Sequence, residues 1–278
     1  MQDRFTKLTK AIFDMLELNK IYNMDCLEGM KMIPDGSVDC IICDLPYGTT
    51  ACAWDYIIPF EPLWAEYKRI RKPNAPIVLF GSQPFTSLLI ASNIAEFREE
   101  LIWVKNNSPS GFCKETKHLK RHENIVVFGK DAKITFNPQK TEVPANMICN
   151  RKTFVYKEQN NIIGSSGFTR VKKVDDGTRF PTSVMYYKRP YYPKHCSSTR
   201  NGDWAFHPTQ KPVALIQYLI RTYSNEGDII LDNCMGSGTT AIAAIREKRN
   251  FIGFELNKEY YDNACKRIKL EQAQLTIF

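Results

Sequence analysis

Ile229-Ile230-Leu231-Asp232-Asn233-Cys234-Met235-Gly236-Ser237-Gly238-Thr239-Thr240 constrains this 278-residue chain more than any other stretch. A short apolar run ends in an aspartate, a glycine-rich turn follows, and an amphipathic segment opens at Thr239. That order predicts a strand, a tight turn and a helix. Glycines let a backbone approach a ligand closely, and the first turn of a helix presents N–H groups that have no intrahelical partner. Glu255 lies 23 positions beyond Asp232, at the end of the next apolar run. An acidic residue about 20 positions after such a turn can take both hydroxyls of a ribose. The turn is shorter than GxGxxG and has no P-loop lysine, so it suits a nucleoside without a diphosphate. Taken alone, the segment also reads as a plain strand-to-helix turn.

The flanking pattern alternates. Residues 4–20 have helical spacing, 21–25 read as a short strand, 26–32 as one or two helical turns and 37–43 as an apolar strand. Helices at 62–71 and 84–91 bracket a strand at 75–81, and further strands are expected at 98–105 and 124–129. Periodicity then fades from about 131 to 205. It returns with a helix at 213–223, a strand at 228–232, a helix at 239–248, a strand at 250–255 and a helix at 259–270. Strands alternating with helices imply an α/β chain with a Rossmann-like, doubly wound, mostly parallel sheet. Residues 1–105 and 206–278 are expected to form the body, with 106–205 inserted into it and partly integrated with it.

The charge is uneven. Residues 106–205 carry 18 Lys and Arg against 8 Asp and Glu, while the remainder is close to balanced. A basic insert in a near-neutral body points to a polyanion-binding module, with a solvated lysine-rich surface as the competing reading. The nine cysteines are scattered, and Cys40-x-x-Cys43 stands alone at metal spacing. In a strand those two positions face opposite sides, so reduced buried thiols are expected and no metal site. No run of about 18 apolar residues suggests a membrane span. Residues 1–5 lack the basic-then-apolar pattern of a secretory leader, which points to the cytoplasm.

Two more segments bear chemistry. Asp44-Leu45-Pro46-Tyr47 sits at the C-terminal end of a strand, where open α/β sheets bind ligands. A carboxylate and a proline carbonyl can accept hydrogen bonds from an amino group, and the ring can stack on the base that bears it. Alone, the tetrapeptide would read as a turn. His207-Pro208-Thr209-Gln210-Lys211-Pro212 leads into a helix. Its polar trio could hold an amino-acid carboxylate, or it could be no more than a helix boundary with Pro212 at the first turn.

With these segments in view the chain resembles the beta-group DNA amino-methyltransferases, bacterial and phage enzymes acting on adenine N6 or cytosine N4. The resemblance covers about residues 20–128 and 205–270 and rests on four motifs in order: Tyr22–Cys26, Asp44–Tyr47, His207–Pro212 and Asp232–Thr240. The target-amine motif precedes the cofactor motif, and the variable segment between them is the basic one. Asn233-Cys234 replaces the family's usual Pro-Phe, and Leu45 replaces a proline.

The resemblance implies S-adenosylmethionine as cofactor, S-adenosylhomocysteine as its product, and no metal. It implies that Asp232, Met235, Gly236, Ser237, Gly238 and Thr239 cradle the cofactor and that Glu255 binds its ribose. Asp25, followed by Cys26, would meet its adenine edge, and Thr209 and Lys211 its methionine carboxylate. Asp44 would also bind the cofactor, and it would join Pro46 and Tyr47 on the target amine. The partner implied is double-stranded DNA with the target base flipped out onto Tyr47, or more weakly onto Trp54. Phe112, His118, Arg121, Arg151, Arg170, Arg189 and Arg200 are candidate DNA contacts. A homodimer and a separate cognate restriction endonuclease are familiar partners of such enzymes. Aspartate at the head of the tetrapeptide favours adenine over the cytosine-N4 alternative, where serine is commoner. An RNA adenine methyltransferase would carry tryptophan at position 47. A protein-glutamine methyltransferase would place the cofactor motif first, and a nicotinamide oxidoreductase would not need Asp44–Tyr47. A non-catalytic DNA-binding protein would leave the cofactor motifs unexplained.

Overall fold

The computed structural model describes residues 16–48, 55–106, 114–116, 118–130, 133–144, 152–155, 169–172, 176–190 and 210–275. Short apolar runs form β1 (Lys20–Tyr22), β2 (Cys40–Cys43), β3 (Ile77–Gly81), β4 (Phe97–Val104) and β5 (His122–Phe128). β6 (Thr141–Glu142), β7 (Lys152–Val155), β8 (Thr169–Lys172), β9 (Thr178–Arg179) and β10 (Val184–Tyr186) follow, then β11 (Ile229–Asp232) and β12 (Asn250–Phe254). The helices are α1 (Cys26–Lys31), α2 (Phe60–Ile70), α3 (Phe85–Ser92), α4 (Val213–Tyr223), α5 (Thr239–Arg246) and α6 (Lys258–Leu275). The helix expected over 4–20 lies outside the described residues, apart from 16–20, which form no helix.

Eight strands make one sheet in the order β1-β12-β11-β2-β3-β5-β4-β10. Each neighbouring pair is parallel except β3–β5 and β5–β4, so β5 alone runs against the rest. β2 and β3 are buried at every position, as strands covered by helices on both faces must be. Alternate residues serve the two faces. Cys40, Ile42, Val78 and Phe80 pack with α4 and α5, while Ile41, Cys43, Ile77 and Leu79 pack with α2 and α3. Each fully buried aliphatic or aromatic side chain contributes about 1.5–3 kcal/mol relative to exposure.

β2 and β11 are neighbours, with Ile230 opposite Cys40 and Leu231 opposite Ile41. From β2 the chain moves to β3 on one side, and from β11 it moves to β12 on the other. The connections diverge there and leave a crevice outside the two C-terminal ends, the place where doubly wound sheets hold ligands.

The chain divides into two compact units, residues 1–137 with 183–278, and residues 138–182. β5 and β10, both from the interval 106–205, lie in the eight-stranded sheet of the first unit. The second unit contains two antiparallel pairs, β6–β9 and β7–β8. Its Asp176 accepts the Thr178 N–H at 2.9 Å and hydroxyl at 2.8 Å, which hold the carboxyl down at about 2. Among the described residues no helix is long and apolar enough to cross a membrane, and no group of three His, Cys, Asp or Glu is arranged to hold a metal.

Candidate active site

One cavity at the switch point is lined by residues from every motif that has described positions: Asp25 and Cys26, Asp44 to Tyr47, Gln210 and Lys211, Asp232 to Ser237, Thr239 and Thr240, and Glu255. Asp44 and Lys211 are 167 residues apart in sequence, yet the strand ends bring these groups together.

The glycine turn is held from several sides. Gly236 and Gly238 have φ of +53° and +78°, where any side chain would be strained. A Cβ on Gly238 would also sit 3.2 Å from the Ala264 Cβ. Gly238→Ala is therefore expected to cost about 1–2 kcal/mol in urea unfolding, and an unchanged midpoint would show that the turn relaxes freely. Asp232 is buried and accepts the Cys234 N–H at 3.0 Å. Burial raises its carboxyl to about 6. Glu255 accepts the Gly236 N–H on Oε2 at 2.7 Å and the Asn257 N–H on Oε1 at 2.8 Å. Burial pushes its carboxyl up, with both N–H groups opposing. Among the described residues no side chain caps α5, whose first turn faces the cavity through Thr239 and Thr240. Asp25 spends Oδ1 on capping α1, accepting from Leu27 N at 2.8 Å and Glu28 N at 3.3 Å. A carboxylate, uncapped helix N–H groups and an apolar wall that includes Met235 and Leu256 fit an uncharged nucleoside with no diphosphate.

Three thiols, Cys26, Cys43 and Cys234, also line this end. Hydrogen bonding to Cys234, then burial, raises Cys26 well above its ordinary value, and burial pushes Cys43 up to about 12. Protonated thiols are poor nucleophiles. Cys40 and Cys43 point to opposite faces of β2, and Cys26, Cys40, Cys43, Cys234 and Cys265 are free thiols.

At the other end Asp44 follows β2 directly. The Tyr47 hydroxyl donates to Asp44 Oδ1 at 2.5 Å. Asp55 Oδ1 accepts the N–H groups of Tyr47 at 2.7 Å and Gly48 at 2.9 Å and so fixes the loop. The Tyr47 ring lines the cavity and stacks on Phe85 with centroids 5.1 Å apart, and Lys211 Nζ lies 6.0 Å from its centroid.

Lys211 Nζ donates to Asp44 Oδ2. It also lies 3.3 Å from Glu123 Oε2, and Lys105 Nζ donates to Glu123 Oε1. The side chains of Lys211, Lys105 and Glu123 are 7%, 9% and 15% exposed, so the row Lys105–Glu123–Lys211–Asp44 alternates in sign in a largely dry setting. Losing one partner of a buried pair typically costs about 3–5 kcal/mol, which explains why neither carboxylate stands without a lysine. Sequence reasoning missed Glu123, Lys105, Asp55 and Phe80. Glu123 lies in an apolar strand pattern, and its partners are distant along the chain. Phe80 reads as ordinary core, although it also lines the cavity and lies 5.1 Å from Lys211 Nζ.

Thr209, Trp54, Phe112, Arg151 and Arg200 fall outside the described residues. Arg170 is in β8 of the 138–182 unit. His118 is exposed. Arg121 is exposed and donates to the Asn106 carbonyl at 3.2 Å, and the half-buried Arg189 donates its backbone N–H to Asn106 Oδ1 at 3.0 Å.

Residues 38–266 match the DNA methylase family that covers adenine-N6 and cytosine-N4 enzymes. The Type II methyltransferase M.HpaI of Haemophilus parainfluenzae is 28% identical over 260 residues, which cover 89% of this chain and 73% of that protein. The DNA adenine methyltransferase YhdJ of Escherichia coli strain K12 is 30% identical over 266 residues, 91% of this chain and 83% of that one. The crystal structure of the M1.HpyAVI-SAM complex superposes with a TM-score of 0.54 at 25% identity, covering 89% of this chain and 98% of that one. The chain belongs to this family of DNA amino-methyltransferases, whose methyl donor is S-adenosylmethionine.

Proposed function

We propose that this protein methylates the exocyclic N6 of adenine in double-stranded DNA. The observation that carries the reading is the single cavity shared by the Asp44–Tyr47 loop and the Asp232–Thr240 turn with Glu255. An aspartate at the head of the tetrapeptide and the likeness to a DNA adenine methyltransferase support adenine over cytosine.

Bound S-adenosylmethionine supplies an electrophilic methyl group on a sulfonium. Glu255, Gly236, Ser237, Gly238 and Thr239 would hold its nucleoside, with Asp232 and Met235 shaping the turn and Asp25 and Cys26 at the adenine edge. Thr209 and Lys211 keep the methionine carboxylate as their assignment. At the other end the chain must handle a weak nucleophile, because the amine's lone pair is delocalised into the ring. Asp44 and the Pro46 carbonyl accept its two N–H bonds, draw the nitrogen toward tetrahedral geometry and aim the lone pair. Positioning and fixed charge then supply most of the rate. The base must leave the duplex, at a cost of a few kcal/mol, and the Tyr47 ring in the cavity would be its stacking partner.

Residues 106–205 would read the DNA, with Arg121, Arg151, Arg170, Arg189 and Arg200 on phosphates more often than on bases. DNA affinity is expected to fall by about 10³-fold or more between 50 and 200 mM salt if six or more phosphates are neutralised. Fluorescence anisotropy at stepped salt checks this, and a flat response would remove the basic segment from its role. A cytoplasmic location, a homodimer and a separate restriction endonuclease complete the reading.

The deciding experiment incubates the protein with unmethylated genomic DNA and labelled S-adenosylmethionine and identifies the product nucleosides by mass spectrometry. N6-methyladenine is expected. N4-methylcytosine would keep the chemistry and reverse the base, and label on RNA or protein alone would overturn the substrate class.

A further inference from the structure

We infer that Glu123 is a positioning residue for methyl transfer: it shares Lys211 with Asp44, so that Asp44 is held in place by an ammonium whose charge is only partly spent on it and stays able to take a proton from the target amine. The inference rests on the reading of Asp44 as the amine's acceptor.

The geometry is specific. Glu123 projects from β5, the reversed strand, and lines the same cavity as Asp44. Its Oε1 is committed to Lys105. Its Oε2, buried and with no hydrogen-bond donor among the described residues, faces Lys211 Nζ at 3.3 Å. Lys211 therefore stands between two carboxylates, and Lys105 balances the second one.

The electrostatics follow from that arrangement. Asp44 is faced by Lys211 and Tyr47, by Glu123 across the cavity and by Asp232 from β11. Burial raises its carboxyl, Lys211 lowers it and Glu123 raises it again, leaving it above the ordinary aspartate range. Glu123 is faced by Lys211 and Lys105, and Lys120 interacts with its charge. Burial alone would raise Glu123, but Lys211 and Lys105 more than offset it, so Glu123 stays ionised. Two anions share one ammonium, and the one that faces the substrate keeps the greater proton affinity.

In the transfer the amine nitrogen bonds to the methyl carbon and the carbon–sulfur bond breaks with its electron pair going to sulfur. The methylammonium so formed passes one N–H proton to the Asp44 carboxylate. Sulfonium plus carboxylate become thioether plus carboxylic acid, so the transfer leaves the net charge of the site unchanged.

Two measurements on the full chain test this. Glu123→Gln removes the second anion, so Asp44 is expected to hold its proton less tightly. The acid limb of the kcat–pH profile should move down by about one pH unit. At neutral pH kcat should fall about tenfold, a fraction of the roughly 10²–10⁴-fold that general acid–base catalysis supplies, with the KM for S-adenosylmethionine unchanged and partial rescue by Glu123→Asp. Carbon-13 NMR titration of the Asp44 carboxyl in the protein without cofactor should show the same downward shift. Lys105→Met should move the Asp44 midpoint upward, and it serves as the second variant if Glu123→Gln does not fold. An Asp44 midpoint that neither substitution moves overturns the inference. If the wild-type chain methylates no base, the functional reading fails, while the titration still decides whether Glu123 sets the proton affinity of Asp44.

Discussion

Asp44→Ala is expected to lower kcat by about 10³-fold, the loss typical when a preorganised polar group is removed from a reacting centre. The Kd for S-adenosylmethionine should stay within about three-fold, a difference of about 0.7 kcal/mol. The asymmetry follows from position. Asp44 follows β2 and is bonded by Tyr47 and Lys211, whereas the glycine turn and Glu255 are held by contacts that do not involve it. Lys211 still has Glu123 to pair with, so the ammonium is not left alone when the aspartate is gone. Single-turnover rates and isothermal titration of the cofactor check both halves. Equal losses in the two would place Asp44 in cofactor binding instead.

Glu255→Ala should show the reverse split. Its carboxylate accepts two backbone N–H bonds that shape the turn, and the proposed role adds the ribose diol. Hydrogen bonds to a charged group contribute about 1.5–3 kcal/mol each, so an increase of about 100-fold in the cofactor's Kd is expected. At saturating cofactor kcat should fall far less, because the reacting atoms lie at the other end of the cavity. Because burial raises this carboxyl, cofactor affinity should be present at neutral pH and lost on acidification through that raised value, above the ordinary glutamate range. Affinity that is insensitive to Glu255→Ala and to acidification would remove the residue from the site.

Much of this was legible without coordinates, and for a local reason. Asp232 to Thr240 is read from consecutive residues because a strand, a tight glycine turn and a helix are decided by neighbours along the chain, and in the structure Gly236 and Gly238 of that turn have positive φ. The helix over Val213–Tyr223 keeps its predicted bounds because its apolar face has a clean helical period. The interval 131–205 was opaque because short strands such as Thr141–Glu142 and Thr178–Arg179 are too brief to show a period.

Local sequence thus determined the modules and the residue types that bear the chemistry. Only the tertiary structure decided the strand order, the reversed direction of His122–Phe128 and the meeting of Lys105, Glu123, Lys211 and Asp44. Read from the sequence, Lys211 belonged to the cofactor's carboxylate. In the fold it also bridges two buried carboxylates, because removing charges from water is costly and each must find its partner in space rather than along the chain.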